Sequence, residues 1–263
     1  MRLFPSFIIV FIYFISFSWA SEVTIKRVPV QVGTYKYSDC IPSENKVPFG
    51  NCLCEAKIYK PVVSGINPVA MKKINGFFDK EVAPRYFEGR SYNSCEGVSV
   101  ESKDSAKNSR NYDFQVDMND CSLLAISTSG YYYDYGLPHP NGYSNSHIFN
   151  VETGEEYTYQ QLFGDNLKKI NLFIAKEVEA QKELMYEDLV SRIKEKPDSL
   201  WIPAEGIDKG INNLFLTKDG LDMRFDVLPY VMRRTISVSL PLRYIENAHV
   251  RECLEKKYAK TKN

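Results

Sequence analysis

The chain has 263 residues, with 33 basic and 33 acidic side chains and 44% hydrophobic content. That is enough to bury a large core, and too hydrophobic for a disordered chain. The balanced charge gives nucleic acid or an anionic membrane no basic excess to attract.

Residues 1–20 (MRLFPSFIIVFIYFISFSWA) have the layout of a secretory signal peptide. Arg2 precedes an apolar run from Phe7 to Phe17, and Ser18 and Ala20 stand at the −3 and −1 positions of a cleavage site. The run is shorter than the roughly 20 residues that a membrane span needs. Cleavage after Ala20 is the expectation; an uncleaved anchor is the alternative. Export to a periplasm or to the medium then makes disulfides the natural reading of the six cysteines, Cys40, Cys52, Cys54, Cys95, Cys121 and Cys253. Zinc spacing is lacking, because the Cys52–Cys54 pair has no second close pair.

The mature chain, 21–263, reads as one α+β unit: an antiparallel sheet with helices packed on one side. Residues 23–38 alternate in polarity and read as one or two strands, and 40–51 as a Pro/Gly/Asn loop. In the strand 52–63, Cys52, Cys54, Ala56 and Ile58 share a face. Asn67-Pro68 opens a helix that runs to about Val82, with Val69, Ile74, Phe77 and Phe78 on its apolar side. Strands follow at 97–102, 112–118 and 122–133, read as a meander turning at Asn119-Asp120. A hairpin centred near residues 107–108 would set Cys95 close to Cys121, which is the expected bridge. Cys40 is then expected to pair with Cys52 or Cys54.

Residues 134–146 (DYGLPHPNGYSNS) form a Gly-, Pro- and Asn-rich loop, followed by short strands at 147–151 and near Tyr157. Leu167, Ile170, Phe173, Ile174 and Val178 recur at helical spacing, and a second helix carries Leu184, Leu189, Val190 and Ile193. A hairpin spans Asn213 to Val227 around Lys218-Asp219-Gly220. A strand covers Thr235 to Leu240, a last helix with Cys253 spans 243–258, and residues 251–263 are the polar C-terminal tail.

Two stretches resemble known modules. The first, AKIYKPVVSGINPVAMKKINGFF (56–78), resembles the 4163-type N-terminal half of the extracellular module of the anti-sigma-V lysozyme sensor and of PdaC-type peptidoglycan deacetylases. Lys60 between Tyr59 and Pro61 departs from that pattern. The second comprises YYYDYGLPHPNGYSNSHIFNVETGEEYTYQQLFGDN (131–166), FLTKDGLDMRFDVLPY (215–230) and ISVSLPL (236–242). It resembles the domain of unknown function numbered 3298, except that Val231-Met232-Arg233-Arg234 replace a glycine after the Pro-Tyr turn. The resemblance divides the mature chain into halves, 21–130 and 131–250. It implies a free-standing exported binding module of the cell envelope, without the sensor's membrane and sigma-binding segments or the deacetylase's catalytic domain. The implied partner is a lysozyme-like muramidase or wall peptidoglycan.

Chemistry has thinner support. His139, His147 and His249 lack ligand spacing, and no nucleophile motif stands around any serine or cysteine. No catalytic residue, metal or cofactor is expected. The alternative is a hydrolase of envelope glycan, acting through His139 or through carboxylates such as Asp219, Asp222 and Asp226. The contact surface is expected on the loop from Gly136 to Ser144 and the Pro229-Tyr230 turn, with His139, Pro140, Tyr143, Pro229, Tyr230 and Arg233 as binding residues. Their aromatic and arginine content suits an interface hot spot. Tyr131, Tyr132, Tyr133 and Tyr135 either add aromatic surface for recognition or place one strand face in the core.

Overall fold

The structure is a computed structural model that describes residues 23–36, 53–87, 90–91, 93–101, 108–134, 140–180, 214–217, 220–226 and 235–260. The signal-peptide region, the expected helix around 184–193, Cys40 and Cys52 lie outside the described residues. The class is α+β.

A six-stranded sheet is built from β1 (Thr24–Lys36), β2 (Leu53–Ser64), β5 (Val98–Val100), β6 (Asn108–Asp120), β7 (Leu123–Tyr133) and β8 (Asn141–Asn150), in the order β5-β1-β2-β6-β7-β8. The pair β3 (Tyr86–Phe87) and β4 (Arg90–Ser91) stands apart. β9 (Leu214–Leu216), β10 (Leu221–Asp226) and β11 (Thr235–Leu240) form a separate antiparallel sheet. The large sheet departs from an all-antiparallel one at a single pairing, because β2 and β6 run parallel. The crossover between them carries α1 (Pro68–Glu81), as a parallel connection requires.

Asn67 caps α1 by accepting from the Val69 N–H at 2.8 Å, and Pro68 fills a first-turn position that needs no donor. Ala70, Ile74 and Phe78 then fall on one buried face. Ile74 and Phe78 meet Leu124, Ile126 and Phe149 of the sheet. Alternation sends Leu123, Ala125 and Ile148 to the opposite face, into a second core. That core is closed by the small sheet, α2 (Tyr159–Phe163), α3 (Leu167–Ala180) and α4 (Ala248–Lys260). The helices therefore divide between the two faces, α1 on one and the rest on the other. Each fully buried Phe or Leu contributes roughly 1.5–3 kcal/mol. Gly154 locks α1 to the turn after β8: its φ is +73°, and a Cβ there would stand 2.5 Å from the Ala70 carbonyl oxygen.

Two expected features are corrected. Strand 98–100 does not pair with β6; it pairs with the end of β1 at the far edge of the sheet. The Cys95–Cys121 bridge fails for that reason. Cys95 instead joins Cys54, with Cα atoms 5.7 Å apart, and Cys121 joins Cys253, with Cα atoms 5.8 Å apart. This also removes Cys54 as a partner for Cys40.

Candidate functional site

One end of the large sheet carries Pro140, Tyr143 and the strand ends that flank residues 135–139. Gly33, Ala56, Arg110, Tyr132 and Asn141 form one rung across five strands. Beyond this rung β1 ends, β2 and β6 begin, and β7 passes into residues 135–139 before β8.

Of the expected contact residues, His139, Pro229, Tyr230 and Arg233 lie outside the described residues. Pro140 is exposed. Tyr143 is placed on β8 opposite Gly130, and β8 begins at Asn141, so part of the expected loop is strand. The Tyr143 ring lies over Gly130, where a Cβ would come within 2.6 Å of it, and packs on the cluster of Cys54, Ala56, Ile58, Val82, Cys95 and Tyr112. Burial pushes the Tyr112 hydroxyl in that cluster well above the usual tyrosine range. Tyr131 stays 42% exposed on the opposite face.

The strand ends that flank residues 135–139 are tied by Arg110, which no sequence motif marks. Arg110 is buried, at 2% exposure. Its Nε and Nη2 donate to the Ser91 carbonyl at 3.3 and 3.0 Å, and its Nη1 donates to the carbonyls of Ser109 and Tyr133 at 2.9 and 3.1 Å. Nη2 also donates to Asp134 Oδ1 at 2.6 Å. All five guanidinium N–H groups are thus used, which is what a buried arginine needs. The only sequence signal for this role is an arginine on the same strand face as Tyr112.

A cleft of about 570 Å³ opens at the same end. Val30, Gln31, Tyr35, Ile58 and Val82 line it, facing Pro84 and the segment 94–97. Val30 is the extra residue of a β-bulge, since Pro29 pairs with Tyr59 and Gln31 with Ile58. Gln31 holds the opposite wall: its Nε2 donates to the Cys95 carbonyl at 2.7 Å, and its Oε1 accepts from the Cys95 N–H at 2.9 Å.

Of the groups considered for acid–base chemistry, His139 and Asp219 lie outside the described residues, while His147, Asp134 and Asp222 have partners. His147 is buried, with Nδ1 2.7 Å from Glu156 Oε1 and its ring centroid 4.7 Å from Phe77 and 6.0 Å from Phe78. Asp134 belongs to Arg110. Asp222 accepts from Ser239 Oγ at 2.6 Å. Among the described residues no group of three His, Cys, Asp or Glu side chains is placed to hold a metal, and no helix is long and apolar enough to cross a membrane.

An α+β protein with a mixed six-stranded sheet, a small antiparallel sheet and a few helices is the class this architecture defines. No family model and no curated protein matches the chain. Its fold is similar to that of a solved DUF3298 family member from Bacteroides fragilis NCTC 9343, at 13% identity and a TM-score of 0.56, covering 90% of this chain and 99% of that one. A DUF3298 family protein from Pseudomonas aeruginosa PAO1 also aligns, at 11% identity and a TM-score of 0.48, over 87% and 96% of the two chains.

Proposed function

We propose that the chain is an exported, non-catalytic binding module of the DUF3298 type, with its contact surface at the loop-bearing end of the large sheet. The observation that carries this is the Arg110 clamp. A buried guanidinium fixes the residues that flank 135–139, and loops held by a rigid sheet are where recognition usually resides. Two disulfides support export, because reducing compartments rarely keep them. The partner is a lysozyme-like muramidase or wall peptidoglycan, a reading that rests on the sequence resemblance to the lysozyme sensor and the PdaC-type module. Of the groups that the hydrolase alternative invokes, Asp222 already accepts a hydrogen bond from Ser239, while His139 and Asp219 lie outside the described residues.

The test is capture of lysozyme and of purified peptidoglycan by the secreted protein, beside a hydrolysis screen with and without chelator. Capture by wild type, weakened in Tyr230→Ala and Arg233→Ala without loss of melting temperature, is the expected result. Chelator-sensitive turnover that disappears in His139→Ala would replace binding with catalysis.

A further inference from the structure

The cleft beside the Cys54–Cys95 bridge has a chemistry that selects its occupant. Its floor is apolar, with Ile58 and Val82 buried and Val30, Tyr35 and Pro84 around them. Most of its polar lining is already used. Both ends of the Gln31 amide are bonded to the Cys95 backbone, and Ser94 Oγ lies 2.6 Å from Ser91 Oγ. Glu96 is the exception. Its Oε1 accepts from the Ser91 N–H at 3.1 Å, and among the described residues no cation pairs with its carboxylate. A half-buried carboxylate at the rim of an apolar slot calls for a cation on the occupant, because an unpaired charge there forfeits solvation. Tyr35 adds an aromatic ring to the same lining, and aromatic faces favour cations.

We propose that this cleft receives an aliphatic chain ending in a cation, namely a lysine or arginine side chain of a partner protein. The methylenes would lie on Ile58, Val82 and Val30, and the charged head would reach Glu96. The volume is in the usual range for ligand pockets and leaves room for the residues flanking that side chain. The wall is preorganised: the disulfide and the Gln31 bonds hold segment 94–97, so little ordering is left to binding. This assignment rests on the binding-module reading and narrows its partner to one that presents a basic side chain.

Titration with hexylammonium, hexanol and hexanoate, followed by NMR, tests the cleft without needing the partner. Hexylammonium should bind about tenfold more tightly than hexanol, the worth of one charge-assisted hydrogen bond, with hexanoate weakest. Glu96→Gln keeps the acceptor for Ser91 and should bring hexylammonium down to the level of hexanol. Val30→Lys, at an exposed bulge position, should place a cation in the cleft and block hexylammonium while the melting temperature stays unchanged. Equal binding of the three compounds, or a Glu96→Gln variant that still prefers hexylammonium, overturns the proposal. Failure of Nα-acetyl-lysine amide to displace hexylammonium would overturn the assignment to a partner's side chain. Lysozyme capture that persists in Glu96→Gln would leave the binding-module reading standing while removing the cleft from it.

Discussion

Arg110 and Asp134 are joined by a 2.6 Å hydrogen bond that links the buried start of β6 to the residue just after the end of β7. Removing the guanidinium strands the Ser91 and Tyr133 carbonyls and leaves Asp134 without its cation. Arg110→Ala should cost about 3–5 kcal/mol, the usual penalty for breaking a buried ion pair from one side. Arg110→Lys should recover little, because an ammonium cannot reproduce the planar fork. Urea unfolding checks both; a loss within about 1 kcal/mol for Arg110→Ala would remove the clamp from the argument.

Peptide mapping without reduction should recover Cys54–Cys95 and Cys121–Cys253. With those four cysteines committed, Cys40 and Cys52 are left to each other, and a third linked peptide containing both is expected. In chain-entropy terms, opening the bridges that span 41 and 132 residues costs about 4 and about 5 kcal/mol respectively. The Cys121→Ser/Cys253→Ser variant should therefore show the larger fall in unfolding free energy.

Asp117 is the extra residue of a bulge in β6, and burial holds its carboxyl above the ordinary carboxylate range. Its folded value exceeds its unfolded one, so its contribution is full below the unfolded value and lost as pH rises through the interval between the two. Asp117→Asn removes that loss and keeps an acceptor for Ser127 Oγ. The variant should gain on wild type in urea midpoint as pH rises through the carboxylate region. Asp113 has the opposite sign. Its bond to Arg27 holds it below the usual range, so its stabilisation fades as pH falls through the carboxylate region. A constant gap between Asp117→Asn and wild type across that range would contradict the account.

Gly130→Ala places a methyl group 2.6 Å from the Tyr143 ring and 2.7 Å from the Asn111 carbonyl oxygen. A cost of about 1–3 kcal/mol is expected, as for overpacking elsewhere. Combining it with Tyr143→Ala should relieve only the ring contact, since the clash with backbone remains. Tyr143→Ala alone should lower the melting temperature, because that ring packs on the Cys54–Tyr112 cluster as well as bordering the loop.

Local signals in the sequence were strong where a segment decides its own shape. Asn67-Pro68 locates α1, the 167–178 periodicity locates α3, and the strand expected at 235–240 is β11. Pairing was harder to read. Alternating residues at 97–102 announce a strand without naming its neighbour, and β5 lies at the opposite edge from the place a simple meander gives it. The turn between β6 and β7 falls on Cys121 and Ser122, at φ of +53° and +59°, rather than on Asn119-Asp120. Nothing in those two side chains favours left-handed backbone, so the turn depends on what surrounds it. The cleft was illegible for a related reason. It needs a bulge at Val30, a glutamine reaching 64 residues onward and a disulfide, and none of these has a local pattern.

The tie between Cys121 and Cys253 sets an order of events during biosynthesis. A ribosome or a translocon releases the chain from its N-terminal end, so the β6–β7 turn emerges long before its anchor. Until α4 follows, the turn that becomes left-handed at Cys121 and Ser122 lacks its covalent brace, and the core lacks Val250, Leu254 and Tyr258. A turn at the middle of the sheet is thus braced by a helix residue 132 positions further along the chain. A chain stopped short of Cys253 would reach its destination with that thiol partner missing and the wider sheet face uncovered, a form that quality-control proteases recognise by its exposed apolar surface.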